Sequence, residues 1–250
     1  AVRRYLAEFL RDPRVIQLPR WLWYPVLHGV ILRIRPPRLA KLYASVWQEG
    51  GSPLRVIAEQ QRAELQSLLA GEGVDAYVQM AMSYGEPSVA HGLAALKREG
   101  VTRILVLPMY PQYSATTTAA VFDAVARALK SEPDVPELRF IRDWRLESGY
   151  IAALAESVRR HRAEHPFQRL LISFHGIPQR YADAGDPYAT ECRETALALG
   201  RALDLREGEW AFSFQSRFGR DPWLQPYTDQ TLKQWAGEGV KRVAVVCPGF

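Results

Sequence analysis

The chain is poor in cysteine, which limits both covalent cross-linking and metal chemistry. Two cysteines, Cys192 and Cys247, stand far apart among the 250 residues. Such a pair favours neither a disulfide framework nor a Cys-x-x-Cys metal site. A reducing compartment is the default for a chain of this kind, so we expect a cytoplasmic protein.

An apolar run of membrane-spanning length is also missing. The most lipophilic stretch, residues 21–34, is interrupted by Pro25, His28 and Arg33, whereas a transmembrane helix needs about 20 apolar residues. Two interpretations stay open for this stretch: a buried helix with its flanking turn, or a hydrophobic lip that holds a flat apolar ligand or touches a membrane surface. The second interpretation predicts a peripheral position at the inner membrane face.

Basic blocks and phosphate-binding loops are absent as well. The formal net charge of +5 comes mostly from arginine, and no block of five basic residues occurs. The sequence has no Gly-x-Gly-x-x-Gly, no Walker-type Gly-x-x-x-x-Gly-Lys and no Gly-x-Ser-x-Gly motif. These absences argue against nucleic acid as a partner, against nucleotide binding through the usual phosphate cradle, and against a serine hydrolase.

What the sequence does contain is an internal repeat. Residues 99–108 (EGVTRILVLP) recur as residues 238–248 (EGVKRVAVVCP), each a helix-ending glycine followed by a buried strand that stops at proline. Upstream of both copies the order is helix, strand, helix: 53–70, 76–84 and 88–99 in the first half, and 187–203, 210–215 and 222–235 in the second. We therefore predict an α/β fold of two similar lobes with parallel sheets, residues 1–142 and 143–250.

The second lobe begins with a strand that has no counterpart in the first. That strand is the apolar run 170–174, which ends at His175 and the turn Gly176-Ile177-Pro178. A matching strand would have to precede Ala1, so we expect a chain truncated at both ends. Ligands of open α/β sheets bind outside the carboxyl ends of the strands, which places His175 where chemistry would occur. Its imidazole can take a proton or bind a metal near neutral pH; the alternative is a core histidine with satisfied hydrogen bonds.

The loop that follows the first-lobe repeat carries a second group of candidates. Tyr110, Gln112 and the hydroxyl residues after them follow a strand end, so they can line a ligand wall. They can equally anchor the loop, with Ser114 or a threonine capping the next helix. Both interpretations are kept.

Five motifs, in order along the chain, resemble those of the bacterial ferrochelatase family. They are Tyr110-Pro111-Gln112-Tyr113-Ser114, Ser173-Phe174-His175-Gly176-Ile177-Pro178, Gly185-Asp186-Pro187-Tyr188, Phe214-Gln215-Ser216-Arg217 and Pro222-Trp223-Leu224-Gln225-Pro226. The resemblance spans essentially the whole chain. It implies two Rossmann-like lobes of the chelatase fold with a porphyrin cleft between them, and insertion of Fe²⁺ into protoporphyrin IX or coproporphyrin III in haem biosynthesis.

The same resemblance implies roles for individual residues. His175 matches the family's active-site histidine, which accepts pyrrole protons or ligates the incoming iron. Porphyrin contacts are implied for Arg35, Tyr43, Ser52, Tyr110 and Gln112, and Arg33, Arg35 and Arg38 are expected to meet the propionates.

Two departures from the family pattern shape the remaining expectations. The family's catalytic glutamate would lie beyond Phe250, so the fragment alone is expected to lack half of the histidine–glutamate pair. Ala115 stands where animal members carry an iron–sulfur cysteine, so we expect no cluster in this segment and no cofactor, with Fe²⁺ as a substrate. The alternative functions are a cobalt or nickel chelatase, and a non-catalytic two-lobed tetrapyrrole-binding protein.

Overall fold

The chain folds into two compact units that interleave along the sequence. The computed structural model describes residues 2–249, apart from the side chain of Arg38. The first unit runs up to Val106 and also contains Ala119–Arg139; the second contains Leu107–Thr118 and the residues from Phe140 onward. The chain enters the second unit near the expected boundary at residue 142, but Leu107–Thr118 groups with the second unit because its side chains and backbone bond to residues there.

The first unit is mainly helical. A core of four leucines, Leu6, Leu10, Leu27 and Leu32, joins its first helices, and its two short strands pair with each other. Its elements are α1 (Val2–Arg11), α2 (Arg20–Val26), a π-helical turn (Leu27–Ile31), α3 (Leu32–Val46), α4 (Pro53–Gly71), α5 (Val89–Arg98), β1 (Arg103–Val106), α6 (Thr118–Leu129) and β2 (Glu137–Phe140).

The lipophilic stretch 21–34 is helical and divides between two environments. Leu27 and Leu32 are buried in the leucine core, whereas Trp21, Val30 and Ile34 are exposed. The buried-helix interpretation is therefore correct for one face of the stretch, and the other face is open to an outside ligand or surface. Among the described residues, no helix combines the length and hydropathy needed to cross a bilayer.

The second unit is an α/β layer built on a parallel sheet. Its strand order is β4-β3-β5, and β3 pairs in parallel with both neighbours, which confirms the predicted fold class. Its elements are α7 (Ser148–Glu164), β3 (Arg169–His175), α8 (Gln179–Asp183), α9 (Tyr188–Ala202), β4 (Trp210–Gln215), α10 (Thr228–Gly237) and β5 (Val243–Val246). A central strand is buried on both faces, which is why β3 reads as a continuous apolar run.

The prediction of a β-strand over residues 76–84 is wrong. The segment joins no strand ladder, and its backbone bonds to a side chain instead: the Gln66 amide donates to the Ala76 carbonyl at 2.7 Å and accepts from the Val78 N–H at 2.8 Å. Its second-unit counterpart, β4, pairs with the central strand β3. Within the described part of the first unit no strand takes that central place, so the apolar pattern has no ladder to join.

The helix predicted from residue 222 begins six residues later, at Thr228. Residues 222–224 pair instead with the loop after β3: the Leu224 N–H donates to the Ile177 carbonyl at 3.0 Å, and the Gln179 N–H donates to the Pro222 carbonyl at 2.9 Å. Pro222 resembles a helix start in sequence, but this pairing across the sheet edge holds the segment extended.

Candidate active site at the carboxyl edge of the second sheet

His175 is the last residue of the central strand of the second sheet. Residues 170–174 are buried, and His175, at the carboxyl end of β3, is exposed. Its neighbour on β4 is Gln215. The side chain is therefore neither enclosed by aliphatic residues nor part of the core, which excludes the alternative of a satisfied core histidine.

One hydrogen bond sets the tautomer of this imidazole. His175 Nδ1 lies 2.7 Å from the Gly176 carbonyl oxygen. A carbonyl oxygen only accepts, so Nδ1 carries the proton and the neutral ring keeps its lone pair on Nε2. Nε2 can then accept a proton or coordinate a metal ion.

Gly176 allows Trp223 to approach the histidine. A Cβ on Gly176 would lie 3.0 Å from the Gln215 carbonyl oxygen and 3.3 Å from Trp223 Cε3, so only glycine fits without displacing a neighbour. The centroids of the Trp223 and His175 rings are 6.5 Å apart, and the indole N–H donates to the Phe218 carbonyl at 2.8 Å. The indole is thereby held as a half-buried apolar surface beside the imidazole.

The strands on either side of β3 also end at this edge. The Gln215 amide at the end of β4 lies 3.8 Å from Cys247 Sγ, just after β5. Gln215 is half-buried and Cys247 is exposed. The edge thus presents an imidazole, an amide, a thiol and an indole, all from the second unit.

The loop with Tyr110 and Gln112 is anchored to the same unit. Trp144 bonds to the backbone before and after Tyr110. Its indole N–H donates to the Pro108 carbonyl at 3.0 Å, and its backbone N–H donates to the Pro111 carbonyl at 3.0 Å. Tyr110 is half-buried. Gln112 is 2% exposed, and its amide donates to Thr195 Oγ1 at 3.0 Å.

The burial of Gln112 bears directly on its predicted role. A side chain so enclosed anchors the loop and offers no surface to a porphyrin, so the anchoring interpretation fits Gln112, while a wall contact remains open for Tyr110. The ring of Tyr150 packs edge-on against Trp144, with the ring centroids 4.9 Å apart. Burial raises the pKa of Tyr150 to about 12, and its hydroxyl donates to the Pro248 carbonyl.

The remaining predicted contacts lie in the first unit. Ser52 caps α4, where its hydroxyl accepts from the Arg55 N–H at 3.3 Å. Tyr43 is exposed and Arg35 is half-buried, both on α3, and Arg33 is exposed near the start of that helix. The side chain of Arg38 lies outside the description. Each of these porphyrin contacts stays a prediction.

Metal ligation at the edge would start from His175. Across residues 2–249, no three histidine, cysteine, aspartate or glutamate side chains gather as a ready metal site. A metal ion bound by His175 would therefore take its other ligands from the substrate or from groups other than these side chains.

Trp223 is not among the site residues predicted from the sequence, and the strand-end motif with Gln215 allows either a site role or turn chemistry alone. Both lay in motifs that carried the family resemblance, but their place beside His175 depends on pairing. Gln215 lies opposite His175 in the β3–β4 register, and Trp223 pairs with Pro178. The signal for Trp223 in the sequence is its place after Pro222, shortly after a buried strand, and this pattern also predicts the opening of a helix.

Comparison with known proteins identifies the family. The family model described as Ferrochelatase matches residues 1–250. A ferrochelatase from Aeromonas hydrophila is 53% identical over 251 residues, which cover 100% of this chain and 78% of that protein. Ferrochelatases from Nitrosococcus oceani and Pectobacterium atrosepticum are also 53% identical over the whole chain and are covered to 68% and 77%.

Solved structures show a more distant likeness. SirB from Bacillus subtilis with Fe³⁺ superposes with a TM-score of 0.46 at 14% identity, covering 76% of this chain and 84% of that one. The sirohydrochlorin chelatase SirB from Bacillus subtilis subspecies spizizenii in complex with cobalt gives a TM-score of 0.47 at 12% identity, with coverage of 77% and 82%. Those two likenesses carry no functional argument, but the family model and the relatives match the chain over its full length: it belongs to the ferrochelatase family.

Proposed function

We propose that this protein inserts ferrous iron into a porphyrin, and that His175 is the side chain through which the second unit acts on the metal or on the pyrrole protons. The single observation that carries the site assignment is the exposed imidazole at the end of β3, with Nδ1 bonded to the Gly176 carbonyl and Nε2 left as the basic nitrogen.

The reaction exchanges one metal ion for two protons. Fe²⁺ enters the macrocycle, two pyrrole N–H bonds break, and two protons leave. A neutral imidazole serves either half of this exchange, because Nε2 can accept a proton or ligate iron, for which imidazole is a suitable donor. The two roles remain alternatives.

The neighbouring indole suits a flat substrate. Trp223 is fixed by its hydrogen bond to Phe218 and stands beside the imidazole. A rigid apolar wall can hold a planar macrocycle and bend it so that its nitrogens turn toward the metal, with the strain supplied by binding elsewhere on the substrate.

Substrate contacts are proposed for Arg35, Tyr43, Ser52 and Tyr110. Arginine pairs well with carboxylates, which supports a propionate contact for Arg35. Protoporphyrin IX and coproporphyrin III differ in carboxylate number, so turnover with both would identify the preferred substrate. The proposal includes no resident cofactor and no nucleic acid.

A cytoplasmic location with peripheral membrane contact is also proposed. Its support is the outward apolar face of α2 and α3, where Trp21 is 76% exposed and Ile34 is 68% exposed. Such a face can bind at the boundary between headgroups and acyl chains.

The deciding experiment for the site is His175→Ala in the complete reading frame that contains this chain. We expect iron insertion, measured under anaerobic conditions as loss of porphyrin fluorescence, to fall by about a hundredfold or more, the scale of a lost proton-transfer group. Porphyrin binding should remain. His165→Ala removes another exposed histidine, at the end of α7, and should leave turnover unchanged.

Three outcomes would contradict the proposal. Full turnover by the His175→Ala protein would remove the histidine from the site. Porphyrin binding without insertion of any metal by the unsubstituted protein would indicate a carrier. Insertion of Co²⁺ or Ni²⁺ but not Fe²⁺ would indicate a different chelatase.

A further inference from the structure

A buried glutamate on α9 holds the backbone of the Tyr110 loop. Glu191 is 3% exposed, and its Oε2 accepts the Tyr113 N–H at 2.7 Å. The charge is balanced mainly by Arg142, whose Nη1 lies 2.8 Å from Oε1, and Arg145 Nη1 lies 3.9 Å from the same oxygen. A carboxylate withdrawn from water in this way is stable only with its partners in place, so Glu191 and the closed loop depend on each other.

Arg142 connects the same two elements. Its guanidinium carbon lies 4.3 Å from the centroid of the Tyr113 ring. Burial lowers the Arg142 pKa, but hydrogen bonds to Glu191 and Asp143 outweigh burial, so the net pKa lies above its ordinary value. Arg142 therefore stays charged and holds both the glutamate and the aromatic ring of the loop.

Two further bonds continue this attachment along the loop. Asp186 Oδ2, just before α9, accepts from Ser114 Oγ at 2.9 Å and from the Ala115 N–H at 2.8 Å. Gln112 donates to Thr195 one turn beyond Glu191. The loop is thus fixed at successive residues to one side of α9.

The other side of α9 packs against the sheet that carries the histidine. Cys192, Ala196 and Leu199 share a core cluster with Phe174, the residue before His175. Gly249 lies between the loop and that residue, because a Cβ on Gly249 would lie 2.9 Å from Gln112 Oε1 and 3.1 Å from Phe174 Cδ1. α9 therefore holds the loop and the end of β3 in one fixed arrangement.

We propose that Glu191 is a positioning residue for porphyrin binding: by holding the Tyr113 backbone it sets the place of Tyr110 relative to the His175 edge. This inference rests on the proposed function and on the porphyrin contact of Tyr110. Glu191 itself touches no substrate, so its effect is on the geometry in which the porphyrin is held.

The test replaces Glu191 by glutamine in the complete reading frame. Glu191→Gln keeps the size and one acceptor but loses the charge that retains Arg142. We expect KM for the porphyrin, and its Kd from fluorescence titration, to rise by about tenfold, the change that corresponds to one weakened charged hydrogen bond. kcat at saturating porphyrin should change much less.

A double-mutant comparison separates positioning from general damage. Where Tyr110→Ala has already removed the contact, adding Glu191→Gln should raise Kd no further, since the two changes act through one contact. The control is Glu156→Gln, which removes an exposed carboxylate on α7 that pairs with Arg159 at 4.0 Å and not with the loop. Its KM and Kd should equal those of the unsubstituted protein.

The outcomes are distinct. An unchanged Kd for Glu191→Gln, or the same rise in the presence and absence of Tyr110, overturns the positioning role. If Glu191→Gln does not fold, Glu191→Asp keeps the charge but withdraws the carboxylate from the Tyr113 N–H, and it is held to the same two criteria. If the unsubstituted protein binds porphyrin but inserts no iron, the proposed function fails while the Kd comparison still decides the role of Glu191.

Discussion

At the scale of single residues, Gly176 is the position with least freedom beside the histidine. It lies against the end of β4 and the Trp223 ring. Its carbonyl accepts a hydrogen bond from His175 Nδ1, and its N–H donates to the Gln215 carbonyl at 2.8 Å. One residue thus sets the spacing of the loop and the tautomer of the imidazole.

We expect Gly176→Ala to destabilise the protein by about 1–3 kcal/mol, the usual cost of overpacking, and to lower iron insertion by moving Trp223. Urea denaturation and steady-state turnover measure the two effects. Gly149→Ala is the control, because a Cβ there meets nothing within 4 Å and alanine favours helix α7. Equal free energies of unfolding for the two variants would show that the close contact of Gly176 with Gln215 and Trp223 does not affect stability.

Residue placement could be predicted for His175 and not for Gln112. A histidine at the end of an apolar run emerges from the sheet because the strand ends there, which is a local property. The burial of Gln112 depends on Thr195, a hydrogen-bond partner 83 positions away. No local pattern distinguishes a glutamine that faces a ligand from one that faces a distant helix.

At the scale of elements, α2 and α3 present an apolar face outward. Proline at position 25 and the π-helical turn after it do not interrupt the helical course of the stretch. Leu27 and Leu32 pack inward, whereas Trp21, Leu22 and Ile34 remain in solvent. Apolar side chains that remain in solvent on such a helix can enter the boundary between lipid headgroups and acyl chains.

We expect Trp21→Ser combined with Ile34→Ser to weaken binding to vesicles of phosphatidylethanolamine and phosphatidylglycerol by about tenfold or more, since each large apolar side chain contributes roughly 1.5–3 kcal/mol on burial. Co-sedimentation measures the bound fraction. The control pair, Leu54→Ser with Leu68→Ser, alters side chains on α4 that are 56% and 67% exposed. Equal loss in both pairs would contradict a dedicated membrane face.

The helices and strands form where the sequence predicts them when the signal is local. Helix α4 begins at Pro53 with Ser52 as its cap, and β4 spans residues 210–215 as predicted. The two failures, residues 76–84 and 222–227, concern segments whose form depends on a partner. An apolar alternating segment becomes a strand only beside another strand, and Trp223 is extended because the loop after β3 pairs with it.

At the scale of the whole molecule, stability should decline at high pH through Tyr150. Burial raises its folded-state pKa to about 12, against about 10 in the unfolded chain. The stabilisation is complete below pH 10, because there the phenol is neutral in both states. Between pH 10 and 12 the unfolded state ionises first, so roughly 2–3 kcal/mol is lost as pH rises.

The measurement is the free energy of unfolding between pH 9 and pH 12, compared with that of Tyr150→Phe. The difference between the two proteins should shrink with rising pH, because phenylalanine cannot ionise. Tyr43→Phe replaces a phenol that is 38% exposed and serves as the control. A difference that stays constant across the interval would show that Tyr150 does not titrate abnormally.

The overall architecture was predictable only in part. Alternation of helices and apolar runs was sufficient to predict the α/β class, since buried parallel strands have a distinctive composition. The grouping of Leu107–Thr118 with the second unit was not predictable, because it arises from bonds to Asp186, Glu191 and Thr195. Sequence order predicts a single boundary between the two units. The distant bonds place Leu107–Thr118 in the second unit, so the two units alternate along the chain.

The two cysteines differ in solvent exposure, so a thiol-reactive label can be attached at a single site. Cys192 is enclosed in the core, where burial raises the pKa of its thiol above the ordinary value, while Cys247 faces solvent next to Gln215. Alkylating dyes act on accessible thiolates, so a maleimide fluorophore should label Cys247 alone and report on events beside His175 without any engineered cysteine.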